Sequence, residues 1–269
     1  RPSPSSPTAV SPGSASAAGG TPGIPAGEAR TAYRDEDLAA LKQLYQEGKS
    51  QEAERQAQEL LATVRESGAK EAIARLLCFL ADLRADQRKY DEALALNHEA
   101  EGVGPDGRAF VLFSRGKILL VMGKYQEAAQ ASREAAELFA ATGKEENALL
   151  ARLNQAAALI NAGDEAGGKK IREEVGQAAE IKGYPRIQGF VRNAQGLARR
   201  SRGDYEGART AFRSALEACP AGTNTHETIE ILRNLALCES YQGRFEQALS
   251  LIVDCQTRLY KRNSSQLLM

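Results

Sequence analysis

A seven-residue turn recurs along this chain, and it constrains the fold more than any other feature. Its clearest copy is Met122-Gly123-Lys124-Tyr125-Gln126-Glu127-Ala128, and relatives place the same register at positions 48, 88, 123, 163, 203 and 243. The steps between copies are 40, 35, 40, 40 and 40 residues. A period of this size over six copies signals stacked units that bury their apolar faces only on one another. The intervening stretches are amphipathic, rich in Ala, Leu, Glu, Arg and Gln, and lack strand-like alternation. The chain is therefore expected to be all-α, a solenoid of about six antiparallel helix pairs.

The residue types in the turn have physical reasons. Glycine closes a helix because it adopts the left-handed conformation there without penalty. Five residues later stands Ala53, Ala93, Ala128, Ala208 or Ala248, and seven residues earlier stands Leu41, Ala81, Gly116, Ala156, Gly196 or Ala236. Two mostly small columns, one per helix, predict close crossing of the pair. The fourth unit departs most, with Glu165 for tyrosine, Gly168 for alanine, and Gly167 and Gly176 in the same helix. At about 1 kcal/mol for each interior glycine, a soft joint is expected over residues 163–182.

Gly-Lys/Asp-Tyr-x-Glu-Ala with a small residue seven positions before the glycine resembles the tetratricopeptide repeat, over roughly residues 35–262. The usual period of that family is about 34 residues, so the spacing here places the chain with its long-helix members. A HEAT or armadillo array has a compatible period but does not account for the turn. The resemblance implies a right-handed superhelix whose first helices line a concave groove.

Residues 1–34 hold six of the nine prolines among Ser, Ala, Gly and Thr. They are expected to form a disordered linker, because they bury too little apolar surface to offset ordering entropy. The chain opens at Arg1 without an initiator methionine, so this linker is expected to follow an upstream domain, making the chain the C-terminal part of a larger protein. Residues 263–269 are expected to be a flexible tail.

Charge and composition narrow the function. Formal net charge is zero, giving no global attraction for nucleic acid or an anionic membrane. No apolar run reaches the roughly 18 residues of a membrane span. Cys78, Cys219, Cys238 and Cys255 have no paired spacing and read as reduced core residues, which favours the cytoplasm. His98 and His226 lie far apart without ligand spacing, so no metal is expected. Gly163–Lys169 imitates a phosphate loop, and Gly102–Arg108 nearly does. Neither follows a strand or carries Ser or Thr after the basic residue. No nucleophile, base and orienter can be assembled. The chain is expected to be no enzyme and to hold no cofactor.

What the resemblance implies instead is binding of a protein or peptide. By register, the groove positions include Phe79 and Asp82 in the second unit, Phe110, Phe113 and Lys117 in the third and Asn154 and Asn161 in the fourth. The fifth unit adds Phe190, Asn193 and Arg200, and the sixth Arg233, Asn234 and Tyr241. Asparagine donates and accepts together, which suits the backbone of an extended peptide. Phe110 and Phe113 read equally as an apolar anchor or as core. Residues 182–213 hold eight basic and two acidic side chains, a local net of +6. They suit an anionic partner, or else a solvated face paired with acids on adjacent helices. A carboxylate clamp of the co-chaperone type cannot be completed from Lys42, Phe79 and Phe110. The favoured function is a protein-interaction module. The alternatives are a peptide- or ligand-responsive sensor controlling an attached effector and, less favoured, RNA binding through the fifth unit.

Overall fold

The computed structural model describes residues 33–218 and 226–267. Nearly all of the expected linker, together with Cys219 and Pro220, lies outside these residues. The described residues form twelve α-helices and one 3-10 turn and contain no strand. In order these are α1 (Asp35–Gln46), α2 (Ser50–Ser67), α3 (Lys70–Asp86), α4 (Tyr90–Gly102), a 3-10 turn (Pro105–Gly107), α5 (Arg108–Val121) and α6 (Tyr125–Ala141). They continue as α7 (Glu145–Asn161), α8 (Glu165–Lys182), α9 (Pro185–Ser201), α10 (Tyr205–Glu217), α11 (His226–Tyr241) and α12 (Phe245–Leu267). Each helix packs on the next, giving six pairs. The last helix continues to Leu267, through most of the segment expected as a tail.

The turn register is a chain of left-handed helix caps. Gly48, Gly123, Gly163, Gly203 and Gly243 have φ between 73° and 99°. At Gly123 the cap N–H donates to Leu120 O at 3.2 Å and the next N–H, of Lys124, donates to Leu119 O at 3.0 Å. Those two bonds satisfy carbonyls that the end of α5 would otherwise leave unpaired. A second register, not read from the sequence, falls halfway between: Gly68, Gly143 and Gly183 have φ of 70°, 71° and 68° and close the second helices. The 35-residue step has a local cause. Helix α4 is 13 residues against 18 for α2, and the 3-10 turn stands in for the first turn of α5. A Cβ on Gly107 would lie 2.2 Å from that of Ala74, so this turn sits directly on α3.

Position 88 is the exception in the register. Arg88 holds φ of 62°, the one positive φ outside glycine among the described residues. A left-handed L-residue costs about 1–2 kcal/mol, partly offset because glycine has the more flexible unfolded chain. Replacing Arg88 with glycine should therefore stabilise the protein by about 0.5–1 kcal/mol, read as a higher urea midpoint at unchanged slope. An unchanged or lower midpoint would mean that Arg88 gains something in this conformation that its backbone does not show.

Both small columns are buried. Leu41, Ala81 and Ala156 on the first helices and Ala53, Ala93, Ala128 and Ala208 on the second are fully buried. Where the column is glycine the crossing is closer still: a Cβ on Gly168 would meet Ala156 O at 2.6 Å. The fourth unit is thus built for close approach, and its other glycines also have local reasons. The Gly167 N–H donates to the Asp164 carboxylate at 2.9 Å, capping α8, and Gly176 faces Val191. Helix α8 runs unbroken from Glu165 to Lys182.

Candidate functional site

The first helices of units one to five surround a cavity of about 760 Å³. Side chains three, four or seven residues apart share a helix face, and this is how each helix contributes a stripe. From α1 come Leu38 and Lys42, from α3 Arg75, Phe79 and Asp82, and from α5 Phe110, Phe113 and Lys117. Helix α7 adds Asn147, Asn154 and Asn161, and α9 adds Arg186, Phe190, Ala194 and Leu197. Phe139, Glu165 and Arg172 reach in from second helices.

The floor is aromatic and ringed by cations. Phe139 is fully buried, and the half-buried Phe110 and Phe113 meet it edge-on at centroid distances of 4.9 and 6.0 Å. Both phenylalanines therefore belong to the core and to the cavity wall at once. Arg75 and Lys144 lie over Phe110 at 4.9 and 4.7 Å, Lys117 lies 5.9 Å from Phe113, and Arg186 lies 5.7 Å from Phe190. Such placements attract cations to the ring faces. Lys117 also pairs with Asp82, and Lys144 pairs with Glu71 at 2.6 Å, joining α7 to α3 across α5. Enclosure by protein, then the charges of Arg186, Arg75 and Lys117, hold the Lys42 ammonium below its usual pKa, with Asp82 opposing. Burial pushes the Cys78 thiol far above its usual range, so that it behaves as an apolar wall group.

Eight of the groove positions read from the sequence line this cavity: Phe79, Asp82, Phe110, Phe113, Lys117, Asn154, Asn161 and Phe190. The other five do not. Asn193 is one residue off the stripe, about 100° around the helix, and Ala194 takes the lining position instead. Asn234 is buried and accepts a hydrogen bond from Arg200 at 2.5 Å, so the two satisfy each other between units. Arg233 pairs with Glu230, and the exposed Tyr241 stacks on Tyr205 at 4.7 Å. Asn147, Arg75 and Arg172 were missed. The signal for Asn147 was present, since 147, 154 and 161 are a seven-residue series.

The basic stretch at 182–213 resolves largely into internal pairs. Lys182 pairs with Glu145, Arg202 with Glu165 at 3.9 Å, and Arg209 with Glu206. Arg192 and Arg199 donate to Ser214 O and Gly207 O at 3.5 and 3.3 Å. Arg213 and Arg244 converge on Glu239, which is fully buried.

Gly163–Lys169 runs from the turn after α7 into the first turn of α8, on the repeat register, with a helix and no strand before it. Among the described residues no group of three or more His, Cys, Asp or Glu is placed to hold a metal, and no helix is long and apolar enough to cross a membrane.

Residues 190–255, from α9 into α12, match the tetratricopeptide-repeat family model. The helix pairs of that span match tetratricopeptide repeats. No curated protein sequence matches the chain, but tetratricopeptide-like solved structures do. NprR in complex with its cognate peptide NprX superposes with a TM-score of 0.64 at 14% identity, covering 87% of this chain and 69% of that one. BtubC (BKLC) from P. vanneervenii gives 0.54 at 18%, covering 83% and 92%. A Rap protein complexed with Competence and Sporulation Factor gives 0.56 at 13%, covering 86% and 76%. At these identities the likeness is one of fold.

Proposed function

We propose that this chain is a protein-interaction module that holds an extended peptide segment in the groove, alongside α7. The observation carrying this reading is the series Asn147, Asn154 and Asn161 facing one cavity. Seven helical residues advance about 10.5 Å, and three residues of extended chain advance about 10 Å. In an extended chain of polyproline II type, with three residues per turn, every third peptide group faces the same side, so the asparagines match the repeat of such a segment lying along the helix. Each amide can accept from one backbone N–H and donate to one carbonyl. Asn154 Nδ2 is buried without a partner, a cost that a peptide carbonyl would remove. Asn161 already donates to Ala157 O at 2.8 Å and keeps its oxygen for a ligand N–H. The phenylalanine floor supplies the apolar anchor. That the NprR structure with a similar fold holds a cognate peptide supports the same reading.

The test is selection from a displayed library of random heptapeptides, followed by affinity measurement with the Asn147→Ala/Asn154→Ala double variant. Loss of two to four hydrogen bonds at roughly 1 kcal/mol each should weaken the selected peptides at least tenfold, while Asn193→Ala, off the cavity, should leave them unchanged. Equal binding by wild type and double variant would refute the placement.

One observation favours a sensor as the second reading. The cavity takes side chains from α1 through α9, so an occupant touches units one and five together and its binding is coupled to superhelical pitch. Scattering profiles with and without a selected peptide separate this from a passive scaffold, whose profile should stay fixed.

A further inference from the structure

The cavity carries six cationic side chains against two carboxylates, a net of +4 within a chain of formal net charge zero. Three of the six have internal partners: Arg75 with Asp35, Lys117 with Asp82 and Arg202 with Glu165. Lys42, Arg172 and Arg186 have no ion pair among the described residues. They stand on α1, α8 and α9, so this excess charge converges on the groove from units one, four and five. The half-buried Arg172 guanidinium has one carbonyl within reach, Ala194 O at 3.4 Å, and desolvation disfavours its charge. Arg186 and Lys42 line the same cavity. Lys42 and Arg186 are exposed at the groove and Arg172 is half-buried; cations gathered without counter-charge still repel one another, and a ligand of opposite sign relieves that repulsion.

We infer that the occupant is an acidic peptide, its carboxylates set between Lys42 and Arg186 and against Arg172, with an apolar side chain on the Phe110–Phe113–Phe139 floor. This rests on the extended-peptide reading and adds the occupant's charge. A mainly apolar peptide would leave the three cations uncompensated, and a basic one would add to their repulsion. Guanidinium groups also form paired hydrogen bonds with carboxylates, which fixes orientation as well as charge.

Three pools of synthetic heptapeptides of equal hydropathy test the inference on the full chain by fluorescence anisotropy: one with two acidic residues, one uncharged, one with two lysines. The acidic pool should bind about tenfold or more tighter than the uncharged one at low salt, with the advantage shrinking as salt rises. The Lys42→Gln/Arg186→Gln variant should lose most of that advantage, read as the ratio of its own affinities for the acidic and uncharged pools, and an undiminished ratio would overturn the placement of the carboxylates. Equal affinity for acidic and uncharged pools would overturn the charge assignment and leave the extended-peptide reading standing. Failure of every pool to bind would overturn both. Displacement of the acidic pool by inorganic phosphate, or by a single-stranded RNA, at concentrations where free acidic peptide displaces it would show a site for bare anions or nucleic acid, contrary to the inference.

Discussion

Replacing Gly196 with alanine is expected to destabilise the protein by about 2 kcal/mol, although alanine is the better helix former by about 1 kcal/mol. A Cβ there would stand 2.6 to 2.9 Å from three ring atoms of Phe212, which is fully buried and cannot swing aside. Glycine and phenylalanine form a matched pair at this crossing, as Gly116 and Ser132 do two units earlier, where the added Cβ would lie 2.5 Å from Oγ. Phe212→Leu alone should cost about 1 kcal/mol for the space it opens. In the double variant the new methyl group enters that space. The two changes should therefore be less than additive by about 1 kcal/mol, a coupling that urea melts of the four proteins measure directly. Strict additivity would show that the two residues do not define each other.

The second large effect is expected at Glu239. Its carboxylate is fully buried at the junction of units five and six and receives Arg213 at 2.9 Å as well as Arg244, with Arg209 at 3.9 Å. Glu239→Ala leaves Arg213 without a carboxylate and Arg209 and Arg244 with only the exposed Glu206. Because Arg213 and Arg244 keep some contact with water, the expected loss is about 2–3 kcal/mol, below the full penalty for breaking a buried pair. Hydrogen exchange should show α11 and α12 losing protection first, since unit six is held from one side. High salt should restore part of the stability by screening the arginines, and Glu239→Gln should cost less because it keeps an acceptor. An alanine variant within 0.5 kcal/mol of wild type, a size typical of unremarkable surface changes, would mean that the cluster is electrostatically idle.

The repeat register was legible because it rests on backbone rules. A glycine at a left-handed cap and small residues at a crossing are needed wherever such helices pair, so Gly123 and Ala128 locate the third hairpin without reference to anything distant. The half-period glycines were equally visible in principle, but Gly143 has Ala148 without the tyrosine, and Gly183 has Tyr184 one residue on and Gln188 in place of the alanine. The site was legible only in part. Register placed Phe110, Lys117 and Asn154 on the cavity because a period conserves direction around a helix. It misplaced Asn193, since one residue off register turns the side chain to another face. It also put Arg200 and Asn234 on the groove, where the two bond to each other, 34 residues apart. Pairings between units depend on how far the stack curves, and no local pattern of residues specifies that angle.

That angle is where the Glu71–Lys144 pair matters. It spans 73 residues and joins the starts of two first helices with a third between them, so its length measures bending of the stack. Straightening the array by one increment must draw this pair apart before any hairpin opens. Both side chains are more than a third exposed, and an exposed pair contributes only about 0–1 kcal/mol. The spring constant for bending between units two and four therefore receives little from this one long-span bond, and thermal energy suffices to break and remake it. Curvature there is an elastic variable set mainly by side-chain packing, and whatever fills the groove works against a weak spring.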